Sequence, residues 1–382
     1  MIYSLLTKLM SKSDKMAIEK LLAEIGIEVN GNKPWDIKVH NDQLYKQVLA
    51  GGSLALGESY MAGWWDVERL DEFFTRVLQS NLSDQIKNNW QVIFQVLLTR
   101  LFNLQKPSRA FTIGEHHYDE DENVYMAMLG ETMTYTCGYW PEGVNNLDEA
   151  QTAKLDLVCK KIGLKSGDRV LDIGCGCGSF AKLAAESYGA QVVGLTVSKN
   201  QVQYAKDNYK DLSIDIRFQD YRDINEKFDH VVSLGMFEHV GVKNYRTYMK
   251  VVRRCLKDDG LFLLHTIGGN RSAHSSDPWI SKYIFPNSML PSIAQIGRSI
   301  ENIFTMEDWH NFSVDYDKTL MAWYNNFISK WVKTGEKKDE RFVRMWSYYL
   351  LACAGSFRAR KNQLWQVVLS PHGVPGGYKS IR

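Results

Sequence analysis

The chain has 382 residues, 46 Lys and Arg against 44 Asp and Glu, a net charge of +2 and 45 % hydrophobic residues. That length accommodates two domains at about 150 residues each, and the near-balance of charge excludes the concentrated basic surface that nucleic-acid binding requires. No apolar run reaches the roughly 18 residues of a membrane span, and the N-terminus M-I-Y-S-L-L-T-K-L-M, soon interrupted by Lys8, Lys12 and Lys15, does not read as a signal peptide.

The six cysteines, Cys137, Cys159, Cys175, Cys177, Cys255 and Cys353, show no disulfide-like spacing. The C-x-C pair at Cys175 and Cys177 sits in a glycine turn with no second ligand pair nearby, so no metal is expected. The plain implication is a reducing cytoplasm. The 11 Trp, 19 Tyr and 16 Phe suit a large apolar substrate or an aromatic-rich core equally well.

In chain order, residues 1–105 read as a smaller, mostly helical domain. Apolar residues recur at helical spacing over Met16–Ile25, with Gly26 as a stop, and again over Leu70–Leu78 and Gln85–Phe102. Residues 51–66, G-G-S-L-A-L-G-E-S-Y-M-A-G-W-W-D, read as a turn between helices, either simply packed or presenting a lipid-facing or domain-contact surface. Lys106-Pro107-Ser108-Arg109 marks a boundary. Residues 106–382 then alternate strand and helix. Strands are expected at Val170–Ile173, Val192–Val197, Ile214–Phe218, His230–Leu234 and Leu261–Thr266, with helices at Ser179–Tyr188, Lys199–Tyr209 and Tyr245–Leu256 between them. Such alternation specifies parallel βαβ units in a doubly wound α/β sheet. Gly268 to Pro291 reads as an inserted lid or substrate loop, Lys318–Lys333 and Arg341–Phe357 as helices, and Trp365–Leu369 as a last strand.

The most informative stretch is R-V-L-D-I-G-C-G-C-G-S, residues 169–179. A short apolar strand ends in Asp172, and Gly174, Gly176 and Gly178 follow before a helix. Glycines at the carboxyl end of the first strand let the chain turn and let an adenosine cofactor approach the backbone. The dinucleotide fingerprint is G-x-G-x-x-G. Here the third glycine comes one residue early, which argues for an adenosine cofactor without a diphosphate. The second strand ends not in the ribose-binding acid of a nicotinamide fold but in Thr196, Ser198 and Gln201, which can bind a ribose or an amino-acid tail; Ser198 can also cap the next helix. Gln219 and Asp220 close the third strand, where Asp220 is a natural adenine reader or an ordinary loop carboxylate.

Seven segments in order carry a resemblance: Y-T-C-G-Y-W (135–140), L-D-I-G-C-G (171–176), L-T-V-S-K-N-Q (195–201), G-M-F-E-H-V-G (235–241), L-L-H-T-I-G (263–268), M-E-D-W-H-N-F-S-V-D-Y (306–316) and A-C-A-G-S-F-R-A-R (352–360). Together with G-E-S-Y-M-A-G-W-W-D near the N-terminus, they resemble the cyclopropane-fatty-acyl-phospholipid synthases over nearly the whole chain. The resemblance implies a Rossmann-like S-adenosylmethionine-dependent methyltransferase fold and methylene transfer to cis double bonds of membrane phospholipids. It implies that Tyr135, Thr136, Asp172, the Gly174–Gly178 loop, Thr196, Ser198, Lys199, Asn200, Gln201, Gln219 and Asp220 contact the cofactor. It further implies a bound bicarbonate held by Glu238, His265, Cys137 and Tyr316 with the backbone of Ile267, and Cys353 as a secondary catalytic candidate. A homodimer at the inner face of the membrane, docked through the N-terminal domain, belongs to the same expectation. One departure stands out: the family loop commonly reads C-G-W-G-G, and here Cys177 stands in place of the tryptophan.

The chemistry makes the same demands. An isolated alkene needs a strong electrophile such as a sulfonium methyl, and methyl transfer leaves a carbocation that must lose a proton before the ring can close. Water has to be excluded, a base has to be in reach, and aromatic faces such as Tyr139, Trp140 and Phe237 could stabilise the cation. Each residue also has a plainer structural role: Glu238 as a helix cap, His265 as a satisfied core histidine, Tyr316 as core, and Cys137 and Cys353 as small buried hydrophobes. Other functions compatible with parts of the pattern are methylation of a small polar acceptor, nicotinamide-dependent dehydrogenation and non-catalytic lipid transfer.

Overall fold

The computed structural model describes residues 15–16, 18–80, 122–333 and 339–382. The expected helix Gln85–Phe102 and the boundary at Lys106–Arg109 lie outside the described residues.

After α1 (residues 18–24), the chain forms β1 (Lys38–Val39), α2 (Gln43–Met61), β2 (Trp65–Asp66) and α3 (Leu70–Gln79). The antiparallel pair β1–β2 joins the two longer helices. Residues 51–61 are therefore helix rather than turn, with one kink at Gly52 (φ 57°, ψ −137°). Packing explains the discrepancy. A Cβ at Gly57 would stand 2.3 Å from the Trp279 ring, so this glycine serves close approach of two helices rather than a turn. Tertiary contact here overrides low helix propensity.

There follow α4 (Glu122–Leu129), α5 (Leu147–Ile162), β3 (Arg169–Ile173), α6 (Ser179–Tyr188), β4 (Gln191–Thr196), α7 (Lys199–Asn208), β5 (Ile214–Phe218), β6 (Phe228–Leu234), α8 (Tyr245–Cys255) and β7 (Leu256–Gly268). The last elements are α9 (Pro278–Tyr283), α10 (Ile293–Ile300), β8 (Thr305–Asn311), α11 (Val314–Asn326), α12 (Glu340–Arg358) and β9 (Gln363–Ser370). A π-helical turn, Phe327–Val332, continues α11. The stretch expected to be wholly irregular after Gly268 thus contains α9, capped by the Asp277 side chain on the amides of Trp279 and Ile280.

The seven-stranded sheet has the order β5-β4-β3-β6-β7-β9-β8. Strands β3 to β7 pair in parallel, while β9 runs antiparallel between β7 and β8. The sheet is α/β and doubly wound as expected, but mixed at this edge. The chain winds outward from β3 in one direction and from β6 in the other. The carboxyl ends of β3 and β6 therefore flank the switch point where open α/β sheets place ligands.

The N-terminal helices share a hydrophobic core with the helices that follow the sheet: Trp65, Phe73 and Phe74 belong to one buried cluster with Trp323, Tyr348 and Phe357. An ionic clasp joins α3, α11 and α12. Arg358 donates to Asp71 (2.7 Å), Glu72 (2.7 Å) and both oxygens of Asp317 (2.9 Å). Asp71 is 1 % exposed. Burial works to raise its pKa, but Arg69 and Arg358 hold the carboxyl below its ordinary range. Removing the clasp leaves a buried charge short of a partner, so Arg358→Met is expected to cost about 3 kcal/mol, read as a lowered urea midpoint at unchanged slope.

Candidate active site

A cavity opens at the β3–β6 switch. Its floor is the loop after β3, where Gly174, Gly176 and Gly178 take φ values of 82°, 57° and 85°. A Cβ at Gly174 would meet the Met236 side chain at 2.6 Å, whereas one at Gly176 would meet nothing within 4 Å, so Gly176 keeps the backbone bare toward the cavity. The cavity is lined by Tyr135, Thr136, Asp172, Gly174, Gly176, Thr196, Asn200, Gln201, Gln219 and Asp220 among the expected cofactor contacts. Gly178, Ser198 and Lys199 are not among its lining residues. Gly178 lets the Tyr209 ring approach, Ser198 caps α7 by accepting the Gln201 amide, and Lys199 is exposed with its ammonium 5.8 Å from the Phe218 ring.

The lining side chains hold one another in place. Thr196 Oγ1 donates to Gln201 Oε1 at 2.5 Å and accepts the Ser198 amide at 3.1 Å. Asp220 accepts both the Arg222 amide and its guanidinium at 2.9 Å. Asp172 is 1 % exposed and its Oδ1 has no partner among the described residues. Burial pushes this carboxyl up to about 7, opposed by Lys154. Cys177 lines the wall where a larger ring is usual in the resembling family. Sequence reading missed Lys154, which also lines the cavity. Its signal was available: a lysine in the apolar stripe of α5, between Ala150 and Leu155.

The expected catalytic groups Glu238, His265, Cys137, Tyr316, Ile267 and Cys353 are not among the cavity's lining residues. Glu238 follows β6 and immediately precedes the cavity-lining His239; Cys137 directly follows Thr136. Glu238 Oε1 accepts the Ile267 amide at 2.7 Å, while Oε2 finds no geometrically sound partner among the described residues. Burial raises the Glu238 carboxyl to about 7, against the hydrogen bonds from Ile267 and neighbouring groups. The Ile267 N–H thus serves to aim Glu238. His265, on β7, has Nδ1 3.3 Å from the Gln366 amide nitrogen, and its Nε2 has no partner among the described residues. Burial, then the charges of Lys154 and Lys161, keep this imidazole neutral.

Tyr316 stacks on Phe357 at 4.4 Å. Desolvation pushes its phenol up, reinforced by Cys137, Glu238, Tyr135 and Cys353. Cys137 Sγ donates to the Gly138 carbonyl at 3.0 Å, and the segment is pinned by Thr319, which accepts the Gly138 amide and the Trp140 indole. Burial raises the Cys353 thiol to about 12. Among the aromatic rings expected to steady a cation, Phe237 instead stacks on Tyr245 at 4.1 Å in a separate core, and Tyr139 packs on Phe312. Tyr135 is one of several rings on the cavity wall, with Tyr125, Phe180, Tyr204 and Tyr221, and lies 5.3 Å from Trp323 and 6.0 Å from Phe285.

Sheet order, glycine loop and polar lining define an S-adenosylmethionine-dependent methyltransferase. The family model of mycolic acid cyclopropane synthetase matches residues 105–367, and the chain belongs to that family. It is 51 % identical over 363 residues to cyclopropane-fatty-acyl-phospholipid synthase of Escherichia coli K12, covering 95 % of this chain and 94 % of the relative. The solved cyclopropane synthase MmaA2 from Mycobacterium tuberculosis superposes with a TM-score of 0.63 at 29 % identity, over 68 % of this chain and 97 % of its own. Mycolic acid cyclopropane synthase CmaA1, in a complex with SAH and CTAB, gives 0.62 at 31 % identity, over 68 % and 97 %. The protein is an enzyme that uses S-adenosylmethionine to cyclopropanate unsaturated lipids.

The raised Glu238 pKa has a stability consequence. From its ordinary value of 4.5 to about 7, the unfolded state ionises this carboxyl while the folded state does not, so stability falls across that window and then levels off. Glu238→Gln is therefore expected to be more stable than the parent, by up to about 3 kcal/mol once the pH passes 7, and indistinguishable from it at pH 4. Denaturant titrations at pH 4, 6 and 8 measure the difference.

Proposed function

We propose that the enzyme acts on cis double bonds of phospholipid acyl chains, with S-adenosylmethionine in the cavity at the β3–β6 switch and a bicarbonate ion held by Glu238, His265 and Tyr316. The observation that carries this reading is the pair of unpartnered buried atoms, Glu238 Oε2 and His265 Nε2. Buried polar atoms without partners are uncommon, and Glu238 is tied through the Ile267 amide to the strand that carries His265 two residues earlier. A small anion bearing one O–H would satisfy both. The cofactor fits on similar grounds: Asp172 Oδ1 awaits a donor, and the bare backbone at Gly176 admits a ligand.

When bound, S-adenosylmethionine supplies an electrophilic methyl group and bicarbonate a base. The chain's own residues do the remainder. Ile267 fixes Glu238 so that its second oxygen can accept a hydrogen bond. Tyr316, whose phenol stays protonated, would donate to the anion. Tyr135, backed by Trp323 and Phe285, would offer its ring face to positive charge. Among the described residues no helix is long and apolar enough to cross a membrane. Access to phospholipid is by peripheral contact with the inner face of the cytoplasmic membrane, through a homodimer whose N-terminal domain, residues 1–105, docks on lipid; the resemblance to the phospholipid synthases supports this part of the reading.

Incubation with methyl-labelled S-adenosylmethionine and vesicles of mono-unsaturated phospholipid should give acyl chains heavier by one methylene; unlabelled lipid despite cofactor binding overturns the substrate assignment. Glu238→Gln should bind cofactor normally and turn over about 10²-fold more slowly. In buffer stripped of carbon dioxide the parent enzyme should slow and recover on adding bicarbonate, and a rate indifferent to bicarbonate overturns the base assignment alone.

A further inference from the structure

The mechanism above makes no use of Lys154, the most deeply buried cation of the site. Its residue is 0 % exposed, on a helix face it shares with Ala150, Leu155 and Val158. Its ammonium donates to Thr136 Oγ1 at 2.9 Å. The neighbouring Gln151 donates its amide to the Thr136 carbonyl at 2.7 Å, so the backbone of the wall is already held without the lysine. A methionine would fill the same volume. A cation stripped of water for a single hydroxyl contact is a costly arrangement, and it calls for an anion that is not part of the chain.

The cavity wall shows where that anion comes from. Its lining contains three basic side chains, Lys154, Arg222 and His239. Arg222 is committed to Asp220 at 2.9 Å. Burial lowers the His239 imidazole to about 4, so it carries no charge near neutrality. Among the described residues Lys154 is thus the one cation of the lining left for a ligand, and Asp172, whose Oδ1 has no partner there, is the matching acceptor at the end of β3. The two are more than 4.0 Å apart, since no ion pair joins them within that distance, yet each feels the other's charge. A cation and an anion that face one cavity without closing on each other form a receptor for a zwitterion. An α-amino acid is such a ligand, and the methionyl tail of the cofactor carries one.

We propose that Lys154 is a cofactor-binding residue that pairs with the α-carboxylate of the methionyl tail, while Asp172 receives the α-ammonium. Lys154 then selects for the carboxylate, and Thr136 sets the direction of the ammonium. This assignment is independent of the bicarbonate site and depends only on the cofactor occupying the β3–β6 cavity.

The test is calorimetric and needs no turnover. The full-length enzyme and its Lys154→Met and Lys154→Arg variants are titrated with S-adenosylhomocysteine, with its decarboxylated analogue, and with 5′-methylthioadenosine, which lacks the whole amino-acid tail. The parent should bind S-adenosylhomocysteine at least 10-fold more tightly than the decarboxylated analogue, in line with a charge-assisted hydrogen bond. Lys154→Met should lose about 10- to 100-fold toward S-adenosylhomocysteine and bind the other two as the parent does; Lys154→Arg should recover part of the loss. Equal weakening toward all three ligands would mean that Lys154 only supports the wall, and unchanged binding of S-adenosylhomocysteine would mean that it does nothing for the tail; either overturns the proposal. Should the methionine variant not fold, a parent enzyme that binds the decarboxylated analogue as well as S-adenosylhomocysteine overturns it too. Failure of the parent to bind S-adenosylhomocysteine would instead remove the cofactor reading of the cavity, and this proposal with it.

Discussion

Dryness is the constraint on which the site depends. A pocket that must keep water from a reactive cation also strips water from its own ionisable groups. The consequence is visible at three of them: burial moves Asp172 and Glu238 up to about 7 and Lys154 down to about 7. In water these carboxyls would be ionised and this amine protonated at neutral pH by wide margins. Here each sits near its midpoint, so a ligand of complementary charge can set its protonation state at small cost. The unsatisfied atoms Asp172 Oδ1, Glu238 Oε2 and His265 Nε2 express the same tension as missing hydrogen bonds. Such groups are expensive in a core and useful in a binding site.

The fold supplies the dryness from two directions. From below, the carboxyl ends of β3, β6 and β7 deliver Asp172, Glu238 and His265, and parallel pairing sets their relative heights: Leu234 pairs with His265, so Glu238 emerges just past the histidine's level. From above, α11 and α12 bring Tyr316 and Cys353. Those helices are clamped by Arg358 to α3 and by Arg344 to the carbonyl of Trp65 and the carboxylate of Asp66. The N-terminal helices thus buttress the roof of the site. The loop carrying Phe285 is tied down in the same way, with Lys282 and Tyr283 both donating to Glu58 of α2.

How much of this could be read from the chain follows from what leaves a pattern. The central strands are continuous apolar runs because both faces are covered, and Ile214–Phe218 and the helix Ser179–Tyr188 occur with the bounds the sequence implies. β8 escaped notice because only Asp308 of its seven residues is buried, so no apolar alternation marks it. The helix through Gly51, Gly52 and Gly57 escaped because its glycines answer to a partner, the Trp279 ring, remote in sequence. For the site, the glycine loop and the strand-end acids were legible as motifs. The division of labour within it was not: that the Ile267 amide is spent on Glu238, that Ser198 serves only its helix in this structure, and that Phe237 belongs to a different core all depend on contacts across the sheet.

The same contacts narrow the choice of base. Cys137 and Cys353 are held as thiols by desolvation, and Tyr316 as a phenol, so none of the three takes up a proton near neutrality. His265 is a neutral ring whose affinity for a proton is suppressed well below the ordinary imidazole range, which makes it a poor acceptor of one. If the Gln366 amide donates to its Nδ1, the ring proton resides on Nε2, and His265 becomes a donor alongside Tyr316. Only Glu238 can accept, through the oxygen that Ile267 leaves open. Two donors and one acceptor are the set that the proposed bicarbonate, accepting twice and donating once, would satisfy.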